Sequence, residues 1–253
     1  MKLEGRVALI AGASRGIGEA IVRLFCDEGA KVVFCARRDE LGRAIESDLR
    51  SHGCEVTFIR ADVTEEEAVK ALIAATVELY GGLDVLVCCA GIAPASPIES
   101  MELDDWNEVM KINISSMFLL TKHAIPELRK SEHPAIITFG STFGHVGAAG
   151  SAAYALSKAA AINFAKSAAL ELAGDGIRVN ALCPGGTATE FLSEWFESTG
   201  DAEGTEQWLI DHHPLGRLGR PEEQARAALF LACDDSAFVT GHGLLVDGGY
   251  TAQ

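Results

Sequence analysis

Seven short apolar runs recur along the chain, and longer stretches separate them. The runs are RVALIAG, KVVFCA, EVTFIRA, LDVLVCCAG, AIITFGS, IRVNALCPG and GLLVDGG. Each is almost continuously apolar rather than alternating, which is typical of a strand buried on both faces of a parallel sheet. Between them lie stretches of helical character, at 17–29, 39–52, 64–80, 104–130 and 153–173. This alternation predicts an α/β fold, a doubly wound parallel sheet of about seven strands with helices on both faces.

The chain has 253 residues, a length that one hydrophobic core can serve, because single cores stop growing at roughly 250 to 300 residues. No repeat, low-complexity tract or linker interrupts the alternation. The one long irregular stretch is about 186–220, and an excursion of that length inside a compact domain is usually a functional lid. We therefore expect a single domain over residues 1–253, with a substrate lid at about 186–220.

The charge and the cysteines restrict the function further. The formal net charge is −15, which argues against a nucleic-acid or anionic-membrane surface, since either would need a basic face. The seven cysteines are scattered and never spaced C-x-x-C, and the seven histidines form no ligand pair, so neither a disulfide framework nor a metal site is indicated. With no signal peptide and no run of eighteen apolar residues, we expect a cytoplasmic protein.

A glycine-rich turn, AGASRGIG, follows the first apolar run and opens a helix. Glycine lets the backbone turn sharply and approach a pyrophosphate, while the helix N-terminus offers free amide donors. The motif in this context predicts a Rossmann-like dinucleotide site, although a tight turn without a ligand would use the same glycines. The residues assigned to this turn are Gly12, Ser14, Arg15, Gly16, Ile17 and Gly18.

The end of the second run bears on the choice of dinucleotide. An acid at this place suits the ribose of NAD, whereas an arginine suits the 2′-phosphate of NADP. The chain has Arg37 and Arg38 here, and Arg15 in the glycine turn supplies another cation. This favours NADP(H). In the alternative, both arginines at the strand end are solvated and Asp39 or the next residue reaches a ribose hydroxyl of NAD.

Three further strand ends carry residues suited to the same site. Asp62, followed by Val63, is placed for an adenine edge, Ala90 and Gly91 leave room for a ribose, and Ser141 follows the fifth run. Ligands in open α/β sheets bind beyond the carboxyl ends of the strands. We expect these residues to line one site.

Tyr154 and Lys158 stand four positions apart in the alanine-rich helix AAYALSKAAA, so their side chains lie on one face. A phenol has a pKa of about 10, but a cation about 4 Å away lowers it by as much as about three units. The pair therefore predicts a tyrosine that exchanges protons near pH 7. Taken alone, it also suits a packed tyrosine with a lysine stem along it.

With the glycine turn, Ser141, Tyr154 and Lys158 make the chain resemble a short-chain dehydrogenase/reductase over essentially its whole length. The motifs that carry the resemblance are RVALIAGASRGIG, NISSMF, GST, YALSK, RVNALCPGGTAT and GRPEEQARAALFLACDDSAFVTGHGLLVDGG. The resemblance implies a catalytic tetrad of Asn113, Ser141, Tyr154 and Lys158, the last two also beside the cofactor. It places Pro184, Gly185, Thr187 and Thr189 along the nicotinamide. In one departure, Cys88 and Cys89 stand where the family usually has two asparagines.

The implied reaction moves hydride between the nicotinamide and a carbonyl carbon while Tyr154 protonates the oxygen and Ser141 donates a hydrogen bond to it. Asn113 is expected to hold a water that links Lys158 to solvent. The alternatives are an NAD-linked alcohol or diol dehydrogenase, a 3-oxoacyl thioester reductase, and a non-enzymatic NADP-sensing module. The family usually forms dimers and tetramers, and the small residues of 104–130 and 153–173 indicate a homotetramer here.

The lid segment indicates the substrate. Its apolar residues, which include Phe191, Trp195 and Trp208, have the spacing of two short amphipathic helices, and its polar residues are mostly acids. No arginine or lysine occurs between Arg178 and Arg217, so an anionic substrate or an acidic carrier protein would find no countercharge. We expect a small neutral, apolar or aromatic ketone or secondary alcohol. His145 either lines this pocket or lies at the surface.

Overall fold

Seven parallel strands form one sheet in the computed structural model, which describes residues 1–253. Their order is β3-β2-β1-β4-β5-β6-β7. The strands are β1 (Val7–Ala11), β2 (Lys31–Ala36), β3 (Val56–Arg60), β4 (Val85–Cys88), β5 (Ala135–Phe139), β6 (Arg178–Pro184) and β7 (Gly243–Val246). Each lies within one of the seven apolar runs, so the predicted strands and the predicted fold class are confirmed.

Nine α-helices accompany the sheet. They are α1 (Gly16–Asp27), α2 (Asp39–Ser51), α3 (Glu66–Tyr80), α4 (Leu103–Met110), α5 (Ser116–Leu128), α6 (Ala152–Leu172), α7 (Glu190–Ser198), α8 (Ala202–Asp211) and α9 (Pro221–Ala232). The helical stretch predicted over 104–130 is present as one continuous run from α4 to α5, with a π-helical turn at Lys111–Ser115 between them. The turn holds Asn113, whose side chain bonds to the backbone of Ile92 instead of facing solvent.

The core has two layers, one on each face of the sheet. On one face, α1, α2 and α9 cover the strands around Phe25 and Phe34, which are fully buried. On the other, α3, α5 and α6 pack around Leu86 and Leu120. Because both faces are covered, most strand residues are apolar, which explains the nearly continuous apolar pattern of the runs.

The strand order reverses between β1 and β4, which are neighbours although β2 and β3 lie between them in sequence. Helices that follow these strands leave on opposite sides, and a crevice opens at the carboxyl ends. The glycine turn lies there. At Gly12, whose φ is +82°, an added Cβ would approach the backbone N of Ala90 to 2.5 Å, so no larger residue fits.

The 186–220 segment is helical rather than irregular, because α7 and α8 occupy it between β6 and α9. The two short helices predicted for its apolar residues are therefore present. A bridge between Thr187 and Gly219 closes its base. No helix of the protein is both long enough and apolar enough to span a membrane.

Candidate active site

A cavity of about 430 Å³ lies beyond the carboxyl ends of the strands, and all the predicted cofactor residues line it. They are Gly12, Ser14, Arg15, Gly16, Ile17, Gly18, Arg37, Arg38, Asp62, Val63, Ala90, Gly91, Tyr154, Lys158, Pro184, Gly185, Thr187 and Thr189. A more open cleft lies at the amino ends of the strands, but none of these residues reaches it. The predicted cofactor residues therefore converge on the first cavity.

The glycine turn leaves the N-terminus of α1 free for an anion. No side chain caps this terminus, so its first backbone amides have no intrahelical partner. A Cβ at Gly18 would lie 2.7 Å from the carbonyl oxygen of Gly12, and one at Gly16 would lie 3.1 Å from Thr189 Cγ2. The backbone of the turn therefore packs closely against neighbouring segments, which only glycine allows. The free backbone amides at the start of α1 suit a pyrophosphate.

Ser141, Tyr154 and Lys158 come together on the wall of the cavity. Ser141 follows β5 and is 7% exposed, and its hydroxyl accepts a hydrogen bond of 3.2 Å from the amide of Phe143. Lys158 is 6% exposed, and its Nζ donates to the carbonyl oxygen of Phe139 at 2.9 Å. The same Nζ lies 5.4 Å from the centre of the Tyr154 ring. A phenol, a hydroxyl donor and a cation thus face one space.

The pKa values in this cluster differ from the expectation. Burial raises the pKa of Tyr154 to about 12, against a hydrogen bond with Ser141 that lowers it. Burial lowers the pKa of Lys158 to about 8. The expectation of a phenol that titrates near pH 7 was therefore wrong for the protein alone. The ammonium lies beside the ring and donates to the backbone rather than to the phenol, so burial dominates the pKa of Tyr154.

Asn113 lies behind Gly91 rather than on the cavity wall. Its Oδ1 accepts from the amide of Ile92 at 2.8 Å, and its Nδ2 donates to Ile92 O and Ser157 Oγ, both at 2.9 Å. A Cβ at Gly91 would lie 3.3 Å from Asn113 Oδ1 and 3.6 Å from Lys158 Nζ. Both amide hydrogens are used, so a water on Asn113 would have to bond to one of its oxygens.

The cations at the end of the cavity near β2 differ in their partners. Arg37 is exposed and has no ion pair, whereas Arg15 forms a two-pronged pair with Glu194 of α7, with 2.7 Å between Nη2 and Oε2. Asp62 accepts two hydrogen bonds from Thr64, which help to lower its pKa. Asp39, the acid that could have served NAD, pairs with Arg43 at 2.7 Å and does not line the cavity.

Aromatic side chains surround the other end of the cavity. Phe191 lies 6.4 Å from Tyr154 between ring centres, and Phe143 lies 6.5 Å from Tyr154 and 6.2 Å from Trp195. Phe143 follows Ser141 by two positions and was not predicted. Tyr250, also not predicted, lies 6.2 Å from Phe143. No local signal in the C-terminal sequence marks Tyr250.

Two residues named for the substrate pocket lie outside it. His145 is exposed and packs against Gly243 of β7, because the short helical turn after Ser141 directs Phe143 to the cavity instead. Trp208 is 43% exposed and stacks on His212, with 4.2 Å between ring centres. The neighbouring Leu209 lines the cavity in its place.

A buried histidine holds the turn after β6. His213 is 2% exposed, and its Nε2 accepts from the amide of Gly186 at 3.1 Å. Its Nδ1 therefore carries the hydrogen and donates to the carbonyl oxygen of Leu209 at 2.6 Å. This link fixes the turn against the end of α8. The family motifs did not include His213.

Comparison with known proteins identifies the family. A family model described as enoyl-(acyl carrier protein) reductase matches residues 12–251. The 2,5-dichloro-2,5-cyclohexadiene-1,4-diol dehydrogenase LinX of Sphingobium indicum is 38% identical over 250 residues, which are 99% of this chain and 98% of that protein. The cis-4-hydroxycyclohexanecarboxylate dehydrogenase of Sinomonas cyclohexanicum is 40% identical over 251 residues, covering 98% and 97%. The 3-oxoacyl-(acyl carrier protein) reductase FabG of Vibrio cholerae is 38% identical over 249 residues, covering 98% of each.

The chain belongs to the short-chain dehydrogenase/reductase family. It is an oxidoreductase that acts on CH–OH or C=O groups of a small molecule, and the family uses nicotinamide cofactors. The free amides of α1 and the glycine turn fit such a cofactor.

This short-chain dehydrogenase/reductase carries cysteines at its departure from the family pattern. Cys88 is 4% exposed at the end of β4, and Cys89 lines the cavity. Burial raises the pKa of each thiol to about 12. Since the thiolate is the reactive form, the environment favours two small apolar side chains over a redox site.

Proposed function

We propose that this enzyme uses NADP(H) to interconvert a ketone and a secondary alcohol on a small, neutral, apolar or aromatic substrate. The observation that carries the proposal is one continuous cavity with an unpaired Arg37 at one end and Tyr154 among aromatic side chains at the other. The first end suits a phosphorylated adenosine ribose, and the second suits an apolar carbonyl compound.

The cofactor preference rests on charge. Arg37 is exposed, forms no ion pair and lies just after β2, where an NAD site would have an acid, although its charge helps to lower the pKa of the Asp62 carboxyl. Its guanidinium can bond a 2′-phosphate through two N–H groups. Asp39, the nearby acid that could accept a ribose hydroxyl, is paired with Arg43 instead.

The proposed chemistry divides the work among three side chains. A bound nicotinamide supplies or accepts the hydride. Tyr154 donates its phenolic proton to the carbonyl oxygen in reduction and takes it back in oxidation, and the Ser141 hydroxyl donates a hydrogen bond to that oxygen. Lys158 holds its ammonium beside the phenol and stabilises the tyrosinate that remains after the proton has left.

The substrate class rests on the aromatic end of the cavity and on the acids of the 186–220 segment, which we propose acts as a lid on a single-domain enzyme. Phe143, Phe191 and Trp195 offer apolar surface beside Tyr154. The segment supplies no lysine or arginine before Arg217, so an anionic substrate would lack a countercharge there. Two relatives are named for six-membered-ring alcohols, one of them a neutral diol and the other a carboxylate, which makes cyclic ketones with and without a carboxylate the first compounds to assay.

The test is steady-state kinetics with NADPH and NADH. We expect a higher kcat/KM with NADPH, and a higher kcat/KM for neutral cyclic or aryl ketones than for a carboxylated ketone of the same size. A carrier-bound 3-oxoacyl substrate that exceeds every neutral ketone would contradict the proposal and favour the 3-oxoacyl reductase alternative. A preference for NADH in alcohol oxidation would favour the diol dehydrogenase alternative.

We also propose a homotetramer. Among the small residues of the helices in 104–130 and 153–173, Ser116, Ala165 and Ala169 are buried within the subunit. Ser115, Ala155 and Ala159 are not buried and can still contact a second subunit. Exposed apolar residues also lie on the same helices, Phe118 on α5 at 48% and Leu170 on α6 at 84%. These faces can join subunits because an exposed apolar patch gains free energy when another copy covers it.

A further inference from the structure

The ion pair between Arg15 and Glu194 joins the glycine turn to α7 across 179 positions of sequence. Glu194 accepts from both Nη atoms of Arg15, and Arg38 Nη2 lies 4.0 Å from Glu194 Oε1. The pair lowers the pKa of the Glu194 carboxyl and raises that of Arg15. The carboxylate thus occupies cations that the proposed NADP site would use.

The position of Glu194 on its helix gives this pair a second consequence. Phe191, Glu194 and Trp195 of the same helix all line the cavity. Phe191 lies beside Tyr154, and Glu194 bonds to the glycine turn. Thr189, which caps α7, lies near Gly16, where an added Cβ would approach its Cγ2 to 3.1 Å. The pair therefore holds a substrate-facing helix against the cofactor turn.

A 2′-phosphate and the Glu194 carboxylate need the same donors. A guanidinium that binds a carboxylate through two parallel N–H groups does not offer those two donors to a phosphate. A carboxylate beside a phosphate also adds like-charge repulsion. NADH carries no 2′-phosphate, so it leaves the pair undisturbed. The two cofactors thus differ in what they require of α7.

We propose that Glu194 is a specificity-determining residue that competes with the 2′-phosphate of NADP(H) for Arg15, and so links the choice of cofactor to the position of α7. The proposal rests on the NADP(H) site proposed above. Arg37, which has no ion pair, supplies the phosphate contact that does not require displacement of α7. Glu194 weakens NADPH binding without affecting NADH.

The test compares dissociation constants of NADPH and NADH, measured by nicotinamide fluorescence, for the wild type, Glu194→Gln and Glu197→Gln. Glu197 is the matched control because it is an exposed acid of the same helix without an ion pair. We expect Glu194→Gln to tighten NADPH binding about fivefold, the upper range for a partly exposed pair, and to leave NADH binding within about twofold. Glu197→Gln should change neither constant by more than about twofold.

Three outcomes would overturn the competition. In the first, Glu194→Gln binds NADPH no more tightly than the wild type does. In the second, Glu194→Gln binds both cofactors more tightly by the same factor. In the third, Glu197→Gln tightens NADPH binding as much as Glu194→Gln does, which would indicate a general charge effect. NADH binding also reports whether the variant is folded. The cofactor assignment fails separately, if the wild type binds NADH more tightly and Arg37→Asp leaves the ratio of the two constants unchanged.

Discussion

Replacing Lys158 by methionine removes a buried ammonium whose only hydrogen bond is to the carbonyl oxygen of Phe139. Burial lowers the pKa of this lysine from 10.5 to about 8, so folding with the charge in place costs free energy. We expect Lys158→Met to lose most of its turnover and yet to unfold at a higher urea concentration than the wild type. A side chain that is retained at a cost to stability is typical of a functional site.

The size of the effect follows from the pKa. A lowering from 10.5 to about 8 corresponds to about 3 kcal/mol at about 1.4 kcal/mol per pH unit. Methionine fills most of the same volume but cannot donate to Phe139 O. The lost hydrogen bond reduces the gain in stability by about 1 kcal/mol. We therefore expect the free energy of unfolding to rise by about 2 kcal/mol at pH 7 in the cofactor-free protein.

The dependence on pH provides the sharper check. Because the folded-state pKa is lowered, the unfolded state binds more protons between pH 8 and 10.5, so the wild type gains stability as pH rises through this window. The variant lacks this gain. The advantage of Lys158→Met should be complete below about pH 8 and should shrink towards pH 10. Urea unfolding at pH 7 and at pH 9.5, at one protein concentration, measures both values.

Lys166→Met is the matched control, because Lys166 is an exposed lysine of the same helix, without an ion pair. Its substitution should change the free energy of unfolding by less than about 0.5 kcal/mol. A Lys158→Met protein that is less stable than the wild type at pH 7, or an advantage that does not shrink between pH 8 and 10, would refute the argument from burial.

Further predictions concern the chemistry, the cofactor, the cysteines and the assembly. Tyr154→Phe should keep its NADPH dissociation constant but lose about 10² to 10⁴ in kcat, the usual contribution of general acid catalysis; near-normal turnover would exclude Tyr154 as the proton donor. Arg37→Asp should weaken NADPH binding by about 10- to 100-fold through a lost charged hydrogen bond and leave NADH binding no weaker, whereas equal losses for both cofactors would point to damage of the fold. Hydrogen peroxide should inactivate the Cys88→Ser, Cys89→Ser protein as fast as the wild type, because the raised pKa values keep both thiols protonated although Cys89 lines the cavity; slower inactivation would assign them a redox role. Light scattering at micromolar concentration should give four times the mass of one chain, and a monomer would contradict the proposed tetramer.

The sequence determined the fold because its signals are local. Seven apolar runs and the stretches between them are enough to specify a parallel sheet covered on both faces, since strands and helices have different periods. Glycine at positions 12, 16 and 18 marks the turn, because only a residue without a Cβ fits where the chain approaches itself. The positions of Ser141 and Tyr154 followed from the motifs, and the sheet brought them together.

The tertiary structure decided what depends on contacts between distant segments. The order of the strands placed seven carboxyl ends along one edge, and burial, which no local pattern measures, raised the pKa of Tyr154 to about 12. The short turn after Ser141 directed Phe143 rather than His145 to the cavity. The pairing of Arg15 with Glu194 joins residues 179 positions apart. Ion pairs and desolvation act through space, so these properties of the site were fixed only when the chain had folded.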